Sequence, residues 1–392
     1  MNDVFICHSK RTPIGRYGGA LSGVRPDDMA AHVIDAVLGD RDLPIDEVVF
    51  GCANQAGEDN RNIARMAVLL SRLPDTVPAY TVNRLCASGL DAVIVAARSI
   101  ACGAAELVIA GGVESMSRAP FVIPKSEIAF SRNAEIYDTT IGWRFINEKI
   151  TKAYGTHSMP ETAENVAIEF GISRTDQDAY ALRSQQRYDA AWHSGDIAPM
   201  VISTKNGEQV SVSADEHPRM TSLEKLAALP TPFRVGGSVT AGNAAGVNDG
   251  AAAVLLASLS AIKEYDLVPM ARVGQAASAG VAPRVMGVGP IAAVEKLLSR
   301  SKTKISQFDL LEVNEAFAAQ VLACTRAWGF ADDAPYVNSK GGGISIGHPL
   351  GMSGARIVAS VARRLHETKA RSALVTLCVG VGQGVALNLH DA

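Results

Sequence analysis

The stretch Val82-Asn83-Arg84-Leu85-Cys86-Ala87-Ser88-Gly89 runs into a helical pattern over residues 90–100, then a short apolar run over 107–110 and the pair Gly111-Gly112. The same order returns later in the chain. Val337-Asn338 is followed by Ser353-Gly354, a helical pattern over 355–365, an apolar run over 374–377 and the glycines at 380 and 382. In both places a small Ser-Gly pair opens a helix, where a missing side chain lets a neighbouring backbone come close. The chain therefore reads as a duplicated α/β unit. Further apolar runs at 4–7, 47–52, 271–273 and 310–313 suit buried strands. Apolar residues at three-to-four spacing over 27–38, 62–70, 290–299 and 314–328 suit helices between them. Such alternation predicts an α/β fold.

Residues 119–247 differ from both halves, being more polar and carrying Trp143 and Trp192. Pro160 opens one helix there, and Ser173-Arg174-Thr175-Asp176 resembles a capping box for a second helix running to about His193. The expected organisation is a first half of 1–118 with 248–268, an inserted lobe of 119–247, and a second half of 269–392.

Composition excludes several classes of function. The 392 residues are 47% apolar, 20% charged and only 5% aromatic, and 37 basic against 40 acidic side chains leave a net charge of −3. That balance supplies no field for a nucleic-acid backbone. The apolar runs are too short to span a bilayer, and the amino end, acidic at its third residue, is not a secretory signal. A cytoplasmic enzyme is expected. Six cysteines without paired spacing indicate neither a disulfide framework nor a zinc ribbon.

Cys86 stands just ahead of a helical pattern, where the dipole and unpaired N–H groups are expected to favour the thiolate and make a nucleophile. His348 lies in Gly341-Gly342-Gly343-Ile344-Ser345-Ile346-Gly347-His348-Pro349, a backbone that allows close approach to a ligand. The repeat places it in the half that faces Cys86, so base and nucleophile would meet across the pseudo-symmetric interface. Cys378, at a strand end before the glycine turn, is a second thiol able to move protons; the alternative is a buried filler. The three side chains lack the spacing and the fourth ligand of a zinc site. Asn314, in Asn314-Glu315-Ala316-Phe317-Ala318, would cap a helix or hold a water through its amide. Gly380-Val381-Gly382-Gln383-Gly384 follows a strand but has no helix after it. It therefore fails as a dinucleotide loop and reads as a turn.

These residues, with Gly111-Gly112-Val113-Glu114-Ser115-Met116-Ser117, Gly347-His348-Pro349 and Cys378-Val379-Gly380-Val381-Gly382, occur in the order seen in thiolases, and the resemblance covers essentially the whole chain. Within that family the sequence is most similar to the group acting on 3-oxoadipyl-CoA. The closer likeness is carried by the stretches 51–62, 138–145 and 280–287. The resemblance implies two pseudo-symmetric five-layered αβαβα halves with a loop domain over the CoA, acyl-CoA and CoA as the partners, no other cofactor and no metal, and a homotetramer built as a dimer of dimers.

It also implies roles. Cys86 would attack the 3-keto carbon, His348 would take its proton, and Cys378 would protonate the departing enolate. A water on Asn314 and the N–H groups of Cys86 and Gly380 would stabilise the two oxyanions. Ser158, Met159, Arg219, Ala241, Ala245, Ala316 and Phe317 match positions against CoA, with Ala245 standing where a serine is commoner. The substrate's terminal carboxylate calls for a cation, for which Arg144, Arg132 and Arg284 are the candidates. The expected reaction is cleavage of 3-oxoadipyl-CoA to succinyl-CoA and acetyl-CoA, with a broad 3-ketoacyl-CoA or acetoacetyl-CoA thiolase as the alternative. A decarboxylating ketoacyl synthase would need a second histidine where Cys378 and Asn314 stand, and a non-catalytic carrier would not need all four polar residues.

Overall fold

A computed structural model describes residues 2–203, 206–368 and 370–392. Its principal strands are β1 (Val4–Arg11), β2 (Glu47–Gly51), β3 (Ala79–Val82), β4 (Leu107–Ser115), β5 (Asn248–Ser258), β6 (Ala271–Gly280), β7 (Leu310–Val313), β8 (Ser372–Val379) and β9 (Gln383–His390). They lie side by side in the order β7-β8-β9-β6-β1-β5-β4-β2-β3. Read outward from the middle, the two halves repeat each other. In one, β1, β5 and β4 are antiparallel neighbours and β2 adds in parallel; in the other, β6, β9 and β8 are antiparallel and β7 adds in parallel. Even the outermost position is matched, since β3 runs parallel to β2 and a parallel bridge joins Leu311 to Val337. The halves join through two residue pairs of β1 and β6, Phe5 with Arg272 and Ile6 with Ala271.

The longer helices among the described residues are α1 (Pro26–Leu38), α2 (Ile63–Leu70), α3 (Ser88–Ala101), α4 (Met159–Glu169), α5 (Arg174–Arg187), α6 (Gly289–Ser301), α7 (Ala318–Ala327) and α8 (Leu350–Thr368), and all but α4 and α5 cover or divide this sheet. Because side chains alternate across a strand, each strand serves two cores. Val108, Val254, Val375 and Leu387 point into a central core with Leu90 and Val93 of α3 and Val358 and Val361 of α8. Their neighbours Ile109 and Leu255 pack outward against Val33 of α1 and Val68 of α2, while Leu374 and Ala386 pack outward against Leu297 of α6 and Val321 of α7. The layers are thus helix, sheet, helix, sheet, helix. Each fully buried Val or Leu adds about 1.5–3 kcal/mol.

The two Ser-Gly pairs meet at the centre. A Cβ on Gly89 would lie 2.5 Å from the carbonyl oxygen of Gly351, and one on Gly354 would overlap the backbone nitrogen of Leu90. Only glycine lets the amino ends of α3 and α8 dock this closely.

Two sequence expectations need correction. The helix expected over 314–328 begins at Ala318. The backbone before it pairs elsewhere, Ala316 O accepting from Ala245 N at 2.9 Å and Ala318 N donating to Asn243 O at 2.8 Å. The helix expected to run to His193 ends at Arg187; Asp189 then caps a separate turn, Ala190–Ser194. Strands β3, β5 and β9 went unread among the strand runs; β5 is buried at every position and shows no alternation. Between β4 and β5 lie two small ribbons together with α4 and α5, whose Val166 and Tyr180 join the core of α6 and α7. Among the described residues no helix is long and apolar enough to cross a membrane.

Candidate active site

Cys86 occupies a tight 3-10 turn, Leu85–Ala87, immediately before α3. Leu85 has a positive φ of 47°, an uncommon state for a bulky residue. Asn83 holds it there: its Oδ1 accepts from Leu85 N at 2.9 Å, and its Nδ2 donates to Ala53 O at 3.0 Å. Arg84 donates to Gln383 Oε1 at 2.9 Å and pairs with Asp91, anchoring the turn to the start of β9. The β8–β9 hairpin brings Gly380 opposite, and the N–H groups of Gly380 and of Cys86 itself point at the Cys86 sulfur.

The resting thiol is not acidified. Burial pushes it up to about 11, and the Glu114 charge adds to that, against the pull of the two N–H groups. The helix-end argument is thereby corrected: desolvation of the thiolate outweighs the dipole. Cys378, fully buried at the end of β8, is held well above the ordinary thiol range by burial and then by the charge of Cys86. It packs with Ala316, Phe317, Met286 and Met159. Both sulfurs stay protonated at neutral pH, and a base is required.

The neutral imidazole of His348 is able to act as one. Burial, reinforced by the Arg356 charge, depresses its pKa to about 3, so the ring is neutral. Ser353 Oγ donates to Pro349 O at 2.8 Å and lies 2.6 Å from His348 Nδ1, which assigns the ring proton to Nδ1 and leaves Nε2 as an acceptor. Asn314 Nδ2 stands 3.3 Å from that Nε2, and the His348 backbone N–H donates to Asn248 Oδ1 at 2.9 Å. Asn314 itself caps no helix. It ends the β7 line, its N–H bonding Thr376 O at 2.9 Å, and its Oδ1 is buried without a protein partner among the described residues.

Behind Asn314 the buried Glu315 carboxylate accepts from Tyr180 Oη at 2.8 Å, Ser184 Oγ at 2.6 Å, Asn338 Nδ2 at 3.1 Å and Ile344 N at 3.1 Å. It pins the glycine-rich approach to His348. Sequence reading singled out neither Ser353 as the imidazole's partner nor Glu315 as a clasp, because both depend on chain segments distant in sequence.

A cavity beside Met159 is lined by Trp143, Gly155, His157, Thr162, Pro283, Arg284 and Val381. Of the three arginines named from the sequence, only Arg284 lines it, where it pairs with Glu169. Arg144 is instead held by Asn54 Oδ1 at 3.1 Å, and Arg132 is exposed. Ser158 caps α4 in a capping box with Glu161. Ala245 bonds Ala316 through its backbone, Ala241 and Arg219 are exposed, and the Arg219 N–H donates to Gln185 Oε1 at 2.9 Å. His157 went unremarked in the sequence; its Nδ1 is buried without a partner among the described residues.

Among the described residues, Cys52, Asp59 and Glu114 are near enough to share a metal ion. Backbone N–H groups of Ala53, Asn54 and Gly351 already engage both oxygens of Glu114.

Comparison with known proteins places this arrangement in a family. Residues 4–260 match the model of the thiolase N-terminal domain and residues 267–391 that of the thiolase C-terminal domain. The chain belongs to the thiolase family and is an acyltransferase of that family. It is 57% identical, over the full length of both proteins, to the β-ketoadipyl-CoA thiolase of Pseudomonas putida. Its fold superposes on the acetyl-CoA acetyltransferase of Bacillus anthracis with a TM-score of 0.92 at 39% identity, covering 100% of this chain and 99% of that one. It superposes on a CoA complex of human mitochondrial 3-ketoacyl-CoA thiolase with a TM-score of 0.90 at 36% identity, covering 100% and 98%.

Proposed function

We propose that this thiolase cleaves 3-oxoadipyl-CoA with CoA, giving succinyl-CoA and acetyl-CoA. The observation that carries the acyl specificity is the full-length 57% identity to a β-ketoadipyl-CoA thiolase. CoA as the carrier is supported by the CoA complex of the human relative. In this reading the reaction is ping-pong. His348 Nε2 takes the Cys86 proton as the sulfur attacks the 3-keto carbon, the bond between C2 and C3 breaks, and Cys378 protonates the acetyl-CoA enolate. Cys378 then deprotonates the incoming CoA thiol, whose sulfur attacks the succinyl-Cys86 thioester and releases succinyl-CoA.

The geometry supports each assignment. The N–H groups of Gly380 and Cys86 already point at the sulfur, where the tetrahedral oxygen would form; losing one such donor typically costs about 2.7–4 kcal/mol of barrier. Asn314, with one buried carbonyl lone pair unused, suits a water facing the enolate. Ala245 lacks the usual hydroxyl, and the pantetheine contact then falls to backbone groups around it. Ser158 and Met159 at the start of α4, with Ala316 and Phe317 opposite, would flank the pantetheine end, and Arg219 and Ala241 the nucleotide side. Assembly as a dimer of dimers belongs to the same reading and is favoured by the exposed apolar side chains Phe121, Ile123, Ile128 and Phe130.

Arg284 is the acyl-carboxylate residue in this scheme, the substrate's carboxylate replacing Glu169 as its partner. A charged hydrogen bond is worth about 1.5–3 kcal/mol, so Arg284→Ala should lower kcat/KM for 3-oxoadipyl-CoA roughly 10- to 100-fold. Acetoacetyl-CoA, lacking the carboxylate, should change by less than about threefold. Thiolysis of the two substrates in parallel tests this. A wild-type preference for acetoacetyl-CoA would overturn the substrate assignment, and equal losses on both substrates would overturn the role of Arg284.

A further inference from the structure

The carboxylate of Glu114, 1% exposed, joins three segments that are far apart in sequence. Its Oε2 accepts from Ala53 N at 3.0 Å and from Gly351 N at 2.8 Å, and its Oε1 from Asn54 N at 3.1 Å. Each connection continues to a reacting side chain. Ala53 O receives Asn83 Nδ2, and Asn83 Oδ1 receives the N–H of Leu85, the residue before Cys86. Gly351 lies in the first turn of α8, three residues beyond His348, and it is the residue against which Gly89 docks. One carboxylate thus spans from the Cys86 turn to the first turn of the helix that follows His348.

We propose that Glu114 is a positioning residue that braces the Cys86 turn against the His348 segment, and that its ionised form is the bracing form. The three backbone partners are N–H donors, and a carboxylate satisfies every one together with the Cys52 thiol at 3.8 Å, whereas a protonated or amidated side chain gives up acceptor capacity among these four. The groups facing Glu114 are few. Cys52 and Asp59 come from the segment after β2, the Cys52 sulfur lying 3.8 Å from carboxylate oxygens of both acids. The Cys86 sulfur comes from the nucleophile turn. From α8 it meets the Gly351 N–H, and β5 places Gly250 opposite it.

Burial raises this carboxyl to about 7 despite the three N–H bonds, with Asp59 adding to the rise. A raised carboxyl pKa means that the proton is taken up as pH falls through neutrality. The brace is therefore weakened below pH 7 and complete above it.

The inference rests on the thiolase reading only in taking Cys86 as the nucleophile. Its test uses Cys86 itself without substrate, by mass spectrometry of iodoacetamide-labelled peptides across pH 6–10, beside kcat and KM for thiolysis. In E114Q the negative charge near the sulfur is gone, so labelling of Cys86 should shift to lower pH. At the same time kcat should fall at least about tenfold with KM for CoA little changed, and the acid limb of kcat near pH 7 should disappear. E114D keeps the charge on a shorter arm and should restore the labelling profile without full kcat. A folded E114Q with wild-type kcat and an unshifted labelling profile overturns the proposal. Should E114Q not fold, E114D decides: wild-type kcat from the shortened arm overturns the brace, and a lowered kcat with unshifted labelling supports it. Failure to cleave 3-oxoadipyl-CoA would leave the labelling result standing.

Discussion

Ser88 and Ser353 hold equivalent places in the two halves, each at the amino end of a central helix and each followed by a glycine that touches the other half. Their hydroxyls do different work. Ser88 Oγ donates to Leu85 O at 2.7 Å and accepts from Arg84 N at 2.9 Å, closing the nucleophile turn on itself. Ser353 Oγ makes the same backward bond, to Pro349 O, and spends its lone pair on the His348 imidazole. Duplication thus supplied one local motif twice, and the residues ahead of each serine differ: a thiol two places before Ser88, an imidazole five places before Ser353.

The strongest way to break this comparison is to force the two helix ends apart. Gly354→Val puts a branched side chain into the backbone of Leu90, and a backbone clash of this kind leaves no low-cost relaxation. Loss of several kcal/mol or failure to fold is expected, read by thermal unfolding against Gly329→Val, a glycine with nothing within 4 Å. Although Gly329 has a positive φ of 79°, its substitution should cost only about 1–2 kcal/mol. Similar damage from both would mean that the central docking is not tight.

Next comes the division of labour between the serines. Ser353→Ala removes the acceptor that fixes the His348 tautomer and should lower kcat roughly 10- to 100-fold with little change in melting temperature. Ser88→Ala should appear mainly as about 1 kcal/mol of lost stability. Equal effects on kcat would erase the distinction.

The effect most remote from the helix ends concerns His193, which stacks on Tyr188 and donates to Lys340 O at 2.8 Å. Burial and the Arg11 charge hold its pKa down to about 4. The unfolded chain therefore binds a proton between about pH 6.5 and 4 that the native state does not, and stability falls with acidification across that window. His193→Gln removes the linkage, so denaturant unfolding at pH 7.5 and pH 5 should show the variant losing about 2 kcal/mol less than the wild type. Equal losses would place the imidazole in a more polar setting than Tyr188 and Lys340 provide.

Much of this was legible in the sequence, for identifiable reasons. The repeat around Ser88-Gly89 and Ser353-Gly354 is local and strict, so it revealed the duplication and a close backbone approach at each pair, though not that α3 and α8 are each other's neighbour. Cys86, His348, Cys378 and Asn314 stood out because each sits beside glycines or at an element end. What escaped reading was set by distant partners. The segment at Asn314 carries a helical pattern, yet its backbone bonds are claimed by residues 243 and 245. The acidity of Cys86 was misjudged because a helix end is visible in sequence and the packing that desolvates a sulfur is not. Arg144 and Arg284 look alike in sequence; Asn54 occupies one and the cavity receives the other.

Val381 forms the tip of the β8–β9 hairpin with φ 64°, a left-handed state in which a branched residue is disfavoured by roughly 1–2 kcal/mol. Its side chain is one of the walls of the cavity beside Met159. Glycine at this position would relax the hairpin and at the same stroke remove one wall of the cavity, so fold robustness and the shape of that cavity pull on a single residue in opposite directions.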